Sequence, residues 1–457
     1  MREYTVRVKP FDLIAILTLD IHKEINRHGS MTIEGYIKDE DEEAYLTLLQ
    51  TDCRVLVEAA GGAGESEILF WGPVRNFELG VDNDQKKLKL EVVSGSWLMD
   101  RKRHIRTFQN SRQTYLEITK QILREYVGGN VIDTASVNIP TEGFVLQYQE
   151  TDWEFLTRLV SGASTFLTPE CLRDGVKLYI GLPARDTVIL VDDMHYRMFQ
   201  EMEERDGSVS KCMGYTVSMR DIYPMGTRFL IAGQAMSVYR IESRYLGGEM
   251  LHVYYARRGE DLPTQRRPLY GAQGASLAGL VMDVKEDRVK IRFLQDENRS
   301  GISDTWFPFS TVYATDTGTG WYWMPEIGEQ VRLYIPGWDE REAYAASAVY
   351  GEAGREGRMH PDHKILKTAH GKEIRFTPDE IVITNNQGLR IELLDNEGIR
   401  IVSNRSIAIE AGEDMTISSG KGSIAVAADD ALILKQQGTE ISLRDGVRFA
   451  GGEFRIQ

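Results

Sequence analysis

The sequence predicts a mainly β protein with some α-helix, and three observations carry that expectation. Strand-length runs with apolar residues at alternate positions recur through most of the 457 residues. Only a few stretches carry apolar residues at helical spacing, and all of them lie in the first half. The final stretch repeats short apolar pairs with turn residues between them, the pattern of a chain built from many short strands. Hydrophobic residues make up 42% and charged residues 27%, an ordinary globular balance. The length is ample for about two to four domains.

Residues 1–260 read as the mixed part. Phe11 to Leu19 and Met31 to Ile37 have strand character, and Asp39 to Gln50 reads as a short helix with an acidic start. Val55 to Glu58, Ile68 to Val74 and Leu88 to Val93 read as half-buried strands. From Thr114 to Val127, Tyr115, Ile118, Ile122, Leu123 and Tyr126 share one helical face. A second helix begins at Thr151, where Thr151 and Glu154 have capping-box spacing before Leu156, Leu159 and Val160. Strands follow at Val176 to Ile180, Arg228 to Ile231, Ser237 to Ser243 and Met250 to Ala256.

Gly259 to Ala275 holds Pro263, Pro268, Gly271 and Gly274 without a periodic apolar face, so it reads as a linker. Residues 275–355 are strand-rich. Val289, Ile291 and Phe293 alternate strictly with polar residues, as do Val331, Leu333 and Ile335. A small five-stranded barrel of the OB type fits such a segment. Gly351 to Lys364 reads as a second linker. In residues 365–457 the pairs are Ile374/Phe376, Ile381/Ile383, Ile391/Leu393, Ile399/Ile401, Ile407/Ile409, Met415/Ile417, Ile424/Val426, Leu432/Leu434 and Ile441/Leu443. Turn residues such as Asn396, Gly398, Gly412, Gly422 and Gly438 separate them. The repeat is that of a β-solenoid or β-helix. One chain closing on itself and three chains wound together both satisfy it, and winding three chains also pairs the strand edges.

The formal net charge of -15 opposes specific nucleic-acid binding, which needs clustered cations. Cys53, Cys171 and Cys212 are scattered, fitting neither a disulfide framework nor a zinc site. The start is polar and no apolar run approaches the ~20 residues of a membrane span, so synthesis in the cytoplasm without a signal peptide is expected. Catalytic motifs are missing as well. Gly61 to Gly64 lacks the Lys-Ser/Thr of a phosphate loop and reads as a hairpin turn. No G-x-S-x-G elbow occurs, and His360 with His363 lacks a third ligand on a rigid scaffold. No catalytic, cofactor-binding or metal-binding residue is assigned, and no cofactor is expected.

Three blocks, in order, resemble the VgrG-like and phage baseplate hub-and-spike family of contractile injection systems. The first runs from Leu146 through Gln147, Tyr148, Glu150, Thr151, Asp152, Phe155, Leu156 and Arg158 to Leu159. The second is Phe229 to Gln234 with Tyr239-Arg240-Ile241 and Met250-Leu251-His252. The third is Trp306-Phe307-Pro308 with Gly318 to Val331, which contains Pro325-Glu326-Ile327-Gly328-Glu329. The resemblance implies a hub of barrel-like β domains with helices, an OB-fold connector and a C-terminal triple-stranded β-helix, assembled as a homotrimer and not an enzyme. It implies an inner-tube protein, baseplate proteins and a PAAR-type tip protein as partners, with an effector carried at the tip and transient contact with a target membrane. Phe449, Phe454 and Ile456 are the tip-docking candidates on that basis. The particle would deliver its spike to a target cell or be released outside the cell. The needle segment is short and lacks the long valine-glycine runs of many members. Trp153 and Phe155 are expected in a core, and Glu326 and Glu329 in a structural turn. A trimeric tail fibre and a peptidoglycan-cleaving spike are the alternatives.

Overall fold

Alternating apolar residues build one long antiparallel sheet in the first part of the chain. The computed structural model describes residues 4–61, 66–191, 196–205, 208–262, 265–299, 304–347 and 360–443. The chain divides at Val349/Tyr350 into two compact units. The first six strands are Tyr4–Lys9 (β1), Ala15–Glu24 (β2), Arg27–Ile37 (β3), Arg54–Gly61 (β4), Ser66–Asp82 (β5) and Gln85–Val93 (β6). The helix Glu42–Leu49 (α1) lies between β3 and β4. Leu19, Ile21, Met31 and Ile33 enter the core at every second position, as a pleated strand with one buried face requires. The first of these strands begins later than its apolar run suggests. Pro10 cannot donate to a ladder, and Phe11 instead packs edge-on against Tyr45 of α1 with ring centroids 5.0 Å apart. The hairpin turn read at Gly61 to Gly64 falls largely on residues 62–65, outside the described residues; β4 and β5 on either side of it are antiparallel neighbours.

A helical subdomain follows. It contains Arg103–Phe108 (β7), Tyr115–Leu123 (α2), Asn130–Asp133 (β8), Val145–Thr151 (β9), Asp152–Ser161 (α3), Leu167–Pro169 (β10) and Lys177–Ile180 (β11). Both helices open on complete capping boxes, Thr114 with Glu117 and Thr151 with Glu154, so two otherwise orphaned amides are satisfied at each start. The helix α2 stops short of Val127, where the chain turns through Gly128 at φ +68°.

The long sheet is then completed by Val188–Leu190 (β12), Tyr196–Arg205 (β13), Ser208–Met219 (β14), Arg228–Ile231 (β15), Gln234–Leu246 (β16) and Glu249–Arg257 (β17). Its order is β1-β4-β5-β6-β3-β2-β16-β17-β14-β13, with β15 and β12 attached beside β16. Two hairpins, β5–β6 and β2–β3, are thus mirrored by β16–β17 and β13–β14 across a central seam. At that seam β2 and β16 pair antiparallel from Thr18/Leu246 to Glu24/Arg240. Each half has its own apolar core.

The second segment is a five-stranded sheet of Ser276–Lys285 (β18), Arg288–Phe293 (β19), Phe307–Pro308 (β20), Gln330–Tyr334 (β21) and Tyr344–Ser347 (β22), ordered β20-β19-β18-β21-β22. Val289, Ile291, Val331 and Leu333 fill its interior, and Phe144 and Leu146 from the helical subdomain complete that core. The stretch read as a linker contributes too: Leu262 is buried with the hub, and Leu269 and Ala272 with the barrel. Isolated apolar anchors on short 3-10 turns have no period, so a pattern reading passes over them.

In the second unit, Lys364–Lys367 (β23), Glu373–Phe376 (β24), Glu380–Thr384 (β25), Leu389–Leu394 (β26) and Gly398–Ser403 (β27) form an antiparallel meander. Leu432–Gln436 (β28) and Thr439–Leu443 (β29) form a separate hairpin. Register places the apolar pairs opposite one another: Ile374/Ile383, Ile383/Ile391, Ile391/Ile401 and Leu393/Ile399. They therefore share one face. Among the described residues, 404–431, with Ile407, Ile409, Met415, Ile417, Ile424 and Val426, pair with no strand.

Candidate functional site

The block from Leu146 to Leu159 becomes a charged junction rather than a surface site. The end of β9 and the first turn of α3 place Asp152 at the helix start, fully buried, where the capping box and the helix dipole favour a carboxylate. Arg106, on the inward face of β7 and 2% exposed, donates to Asp152 Oδ1 at 2.6 Å and to Glu125 at 2.7 Å. Gln147 donates to the same Asp152 oxygen at 2.9 Å, and the Tyr126 hydroxyl to the other at 2.7 Å. Burial, then the bond to Asp152, pushes the Tyr126 phenol far above its usual range. A buried charge needs this density of partners to be tolerated.

Nearly two helical turns further on, Arg158 extends the network into the barrel. Its guanidinium binds Glu150 through Nε at 2.7 Å and Nη2 at 2.8 Å, and Glu340 Oε1 through Nη1 at 2.9 Å. Burial works against that charge, but Glu340 and Glu150 more than offset it and keep Arg158 protonated. A second clip lies just after β19. Asp296 accepts the Thr107 amide at 2.9 Å, and Glu297 accepts from His104 Nδ1 at 2.7 Å and from the Ile105 amide at 3.3 Å. Burial opposes ionisation of Glu297, yet these bonds hold its carboxyl below the usual range. The clip is therefore complete above the ordinary Glu value of 4.5 and weakens as pH falls through the depressed one.

Four charged or amide members of the resemblance block thus act together: Gln147 and Asp152 meet Arg106, and Arg158 joins Glu150 to Glu340. Each of the two guanidiniums bridges two carboxylates, and the arrangement ties the helical subdomain to the barrel through Arg158 and Glu340. Trp153 and Phe155 are buried as their helix face suggests, Phe155 stacked on Phe108 at 5.4 Å. Glu329 accepts the Glu326 amide at 2.9 Å around Gly328, whose φ is +91°, the structural turn expected there. His360 and His363 bring their rings to 4.9 Å; among the described residues no group of three His, Cys, Asp or Glu could hold a metal. Phe449, Phe454 and Ile456 lie outside the described residues.

Sequence reading missed Arg106, Glu125, Asp296 and Glu340. Only Arg106 left a trace: it occupies an inward position between His104 and Phe108, and an inward charge in a strand demands a buried partner.

Comparison with known proteins agrees with this architecture. Residues 22–204 match the family model of the phage tail baseplate hub, and residues 277–350 that of the type VI secretion system/phage-baseplate injector OB domain. The E. coli c3393 protein, a type VI secretion component with structural similarity to the T4 tail proteins gp27 and gp5, is similar at a TM-score of 0.52 and 13% identity. That alignment covers 75% of this chain and 99% of the other. A chain of the half-lidded Francisella PdpA-VgrG complex is similar at 0.56 and 10% identity, over 88% of each chain. The lidless complex gives 0.55 at 10% identity, over 88% of this chain and 98% of that one. At these identities the likeness shows the fold. No curated protein sequence matches the chain.

Proposed function

Because the chain belongs to the phage baseplate hub and VgrG-like injector family, we propose that it works as a homotrimer joining an inner tube to a membrane-puncturing tip. The observation that carries this reading is the apolar face of the second unit. Ile399 on β27 is 74% exposed, and Ile409 and Ile417, which continue the apolar repeat beyond the meander, are 73% exposed each. Burying one such side chain stabilises by about 1.5–3 kcal/mol, so a row of them left in water is a strong drive to associate. Three chains wound about a common axis would cover the row and give residues 404–431 strand partners, of which they have none among the described residues.

The hub supports the same reading. Within the described residues, Asn76–Asp82 of β5 pair only with β6, and β13 pairs only with β14. These two free edges carry exposed Val81, Met198 and Met202, and edges of that kind are covered in an assembled protein. The mirrored half-sheets suit a trimer that presents six similar surfaces to a six-fold tube. The work of such a protein is mechanical, transmitting thrust through the hub and barrel to a needle. Its partners would be the tube protein, baseplate proteins, a PAAR-type tip protein and an effector carried there. It would be made in the cytoplasm and leave as part of the particle.

Light scattering of the purified chain tests the assembly: a mass three times 51.9 kDa supports it, and a compact single chain overturns it. Tip docking has its own test. Deleting the residues after Gly446 is expected to abolish capture of a PAAR-type protein while leaving the trimer mass unchanged, and retained capture would remove Phe449, Phe454 and Ile456 from that role.

A further inference from the structure

A cleft of about 310 Å³ opens between the helical subdomain and the barrel, within the first unit. It falls at the small end of the ~300–1,000 Å³ range of ligand pockets. Phe144, Val145 and Leu159 line its buried side, and Arg266, Arg267 and Trp338 its exposed side. The stretch carrying the two arginines is pinned at both ends. The Arg267 amide donates to Ser161 Oγ of α3 at 2.8 Å, and the Leu269 amide to the Trp338 carbonyl at 2.9 Å. Taken pair by pair, the charges around the cleft leave one cation over. Arg158 is shared by Glu150 and Glu340. Arg341 donates through Nε to Asp339 Oδ1 at 2.9 Å and through Nη1 to Glu142, and Arg266 stands 3.4 Å from Asp339. The Arg267 guanidinium has no hydrogen-bond or ion-pair partner among the described residues. Burial alone acts on it, lowering it from the usual arginine value.

A second group lining the cleft is also unpaired. Tyr115 at the start of α2 is only 8% exposed, and its hydroxyl meets no hydrogen-bond partner among the described residues. Burial first, and the charge of Glu142 second, raise the phenol, so it stays an O–H donor. Gly162 keeps the space beside that oxygen free: an added Cβ would stand 3.2 Å from it. Leaving such a donor without an acceptor costs free energy that packing does not return.

We propose that this cleft captures the C-terminal carboxylate of a partner polypeptide, with Arg267 and the Tyr115 hydroxyl as its donors and the apolar side receiving the last side chain. A planar guanidinium matches the two oxygens of a carboxylate, and one unpaired cation matches one negative charge. A chain terminus carries its charge and an apolar side chain on the same carbon, as a cleft with a cationic rim and an apolar wall requires. A bare anion would leave that wall unfilled, and Asp or Glu would bring only the charge. Every group of the site comes from a single chain, so capture does not depend on how many copies assemble.

Saturation-transfer NMR on the full-length protein tests this with N-acetyl-phenylalanine, a stand-in for a peptide end, at millimolar concentration. The free acid is expected to bind, and its C-terminal amide and inorganic phosphate are not. Arg267→Met and Tyr115→Phe are each expected to weaken binding of the acid about tenfold or more, the effect of removing one hydrogen bond to a charged group. Neither variant should lower the urea midpoint of the first unit, because neither group has a partner to lose. Equal binding of the amide, equal binding of phosphate, an affinity that both variants leave unchanged, or no binding of the acid each overturns the proposal. A lower urea midpoint for Arg267→Met overturns it as well, since the guanidinium would then be serving the fold.

Discussion

Replacing Asp152 with alanine is expected to lower the unfolding free energy of the first unit by about 3–5 kcal/mol, the cost of breaking a buried ion pair by removing one partner. Asp152 is fully buried and Arg106 is 2% exposed. Without the carboxylate, Arg106 loses its one buried anion and keeps Gln147 Oε1 and Glu125, whose side chain is half exposed, while Gln147 Nε2 and Tyr126 each lose an acceptor. The α3 start loses its N-terminal carboxylate as well. Urea unfolding followed by tryptophan fluorescence measures the change, since Trp153 adjoins Asp152 in the first turn of α3. The paired replacement Arg106→Met with Asp152→Leu should recover much of the loss, because it removes both charges together. A loss below about 1 kcal/mol for Asp152→Ala would mean that water or a neighbouring cation compensates, and that the junction is not the fixed clamp described above.

The second large effect concerns assembly. Ile399→Asp combined with Ile401→Asp is expected to reduce the solution mass from three chains to one. Both side chains lie on the apolar face of β27, opposite Leu393 and Ile391 of β26. Carboxylates there would be carried into a dry common axis with no cation to meet them. Arg400, between them on the other face, already pairs with Glu397 at 3.1 Å. Arg400→Ala therefore serves as the control and should leave the mass unchanged. A double variant that stays trimeric would place the contact between copies elsewhere, with the free edges of β5 and β13 the next surfaces to alter.

Much of the fold was legible because most of its elements obey local rules. Capping boxes, strict alternation in β19 and β21, and the paired isoleucines each follow from spacing alone, and the structure places them as the spacing suggests. The sequence motif around Asp152 and Arg158 was legible as a motif but not as a junction. The acids that complete the junction, Glu340 on Arg158, Glu125 on Arg106 and Asp296 on Thr107, are ordinary in sequence, three among 69 acids, and only the chain's path brings them within 3 Å of a guanidinium or amide.

By itself, then, the sequence determined the mainly β character, the two capped helices, the small barrel and the one-sided apolar repeat. These depend on period and on nearest neighbours, and a chain carries both in its order. Tertiary structure alone decided that the half-sheets meet at β2 and β16, that Phe144 and Leu146 finish the barrel core, and that Arg158 reaches Glu340. Each of these is a contact between residues far apart in sequence. Such contacts are selected by how well distant surfaces pack and neutralise one another, a property that no local window of the chain contains.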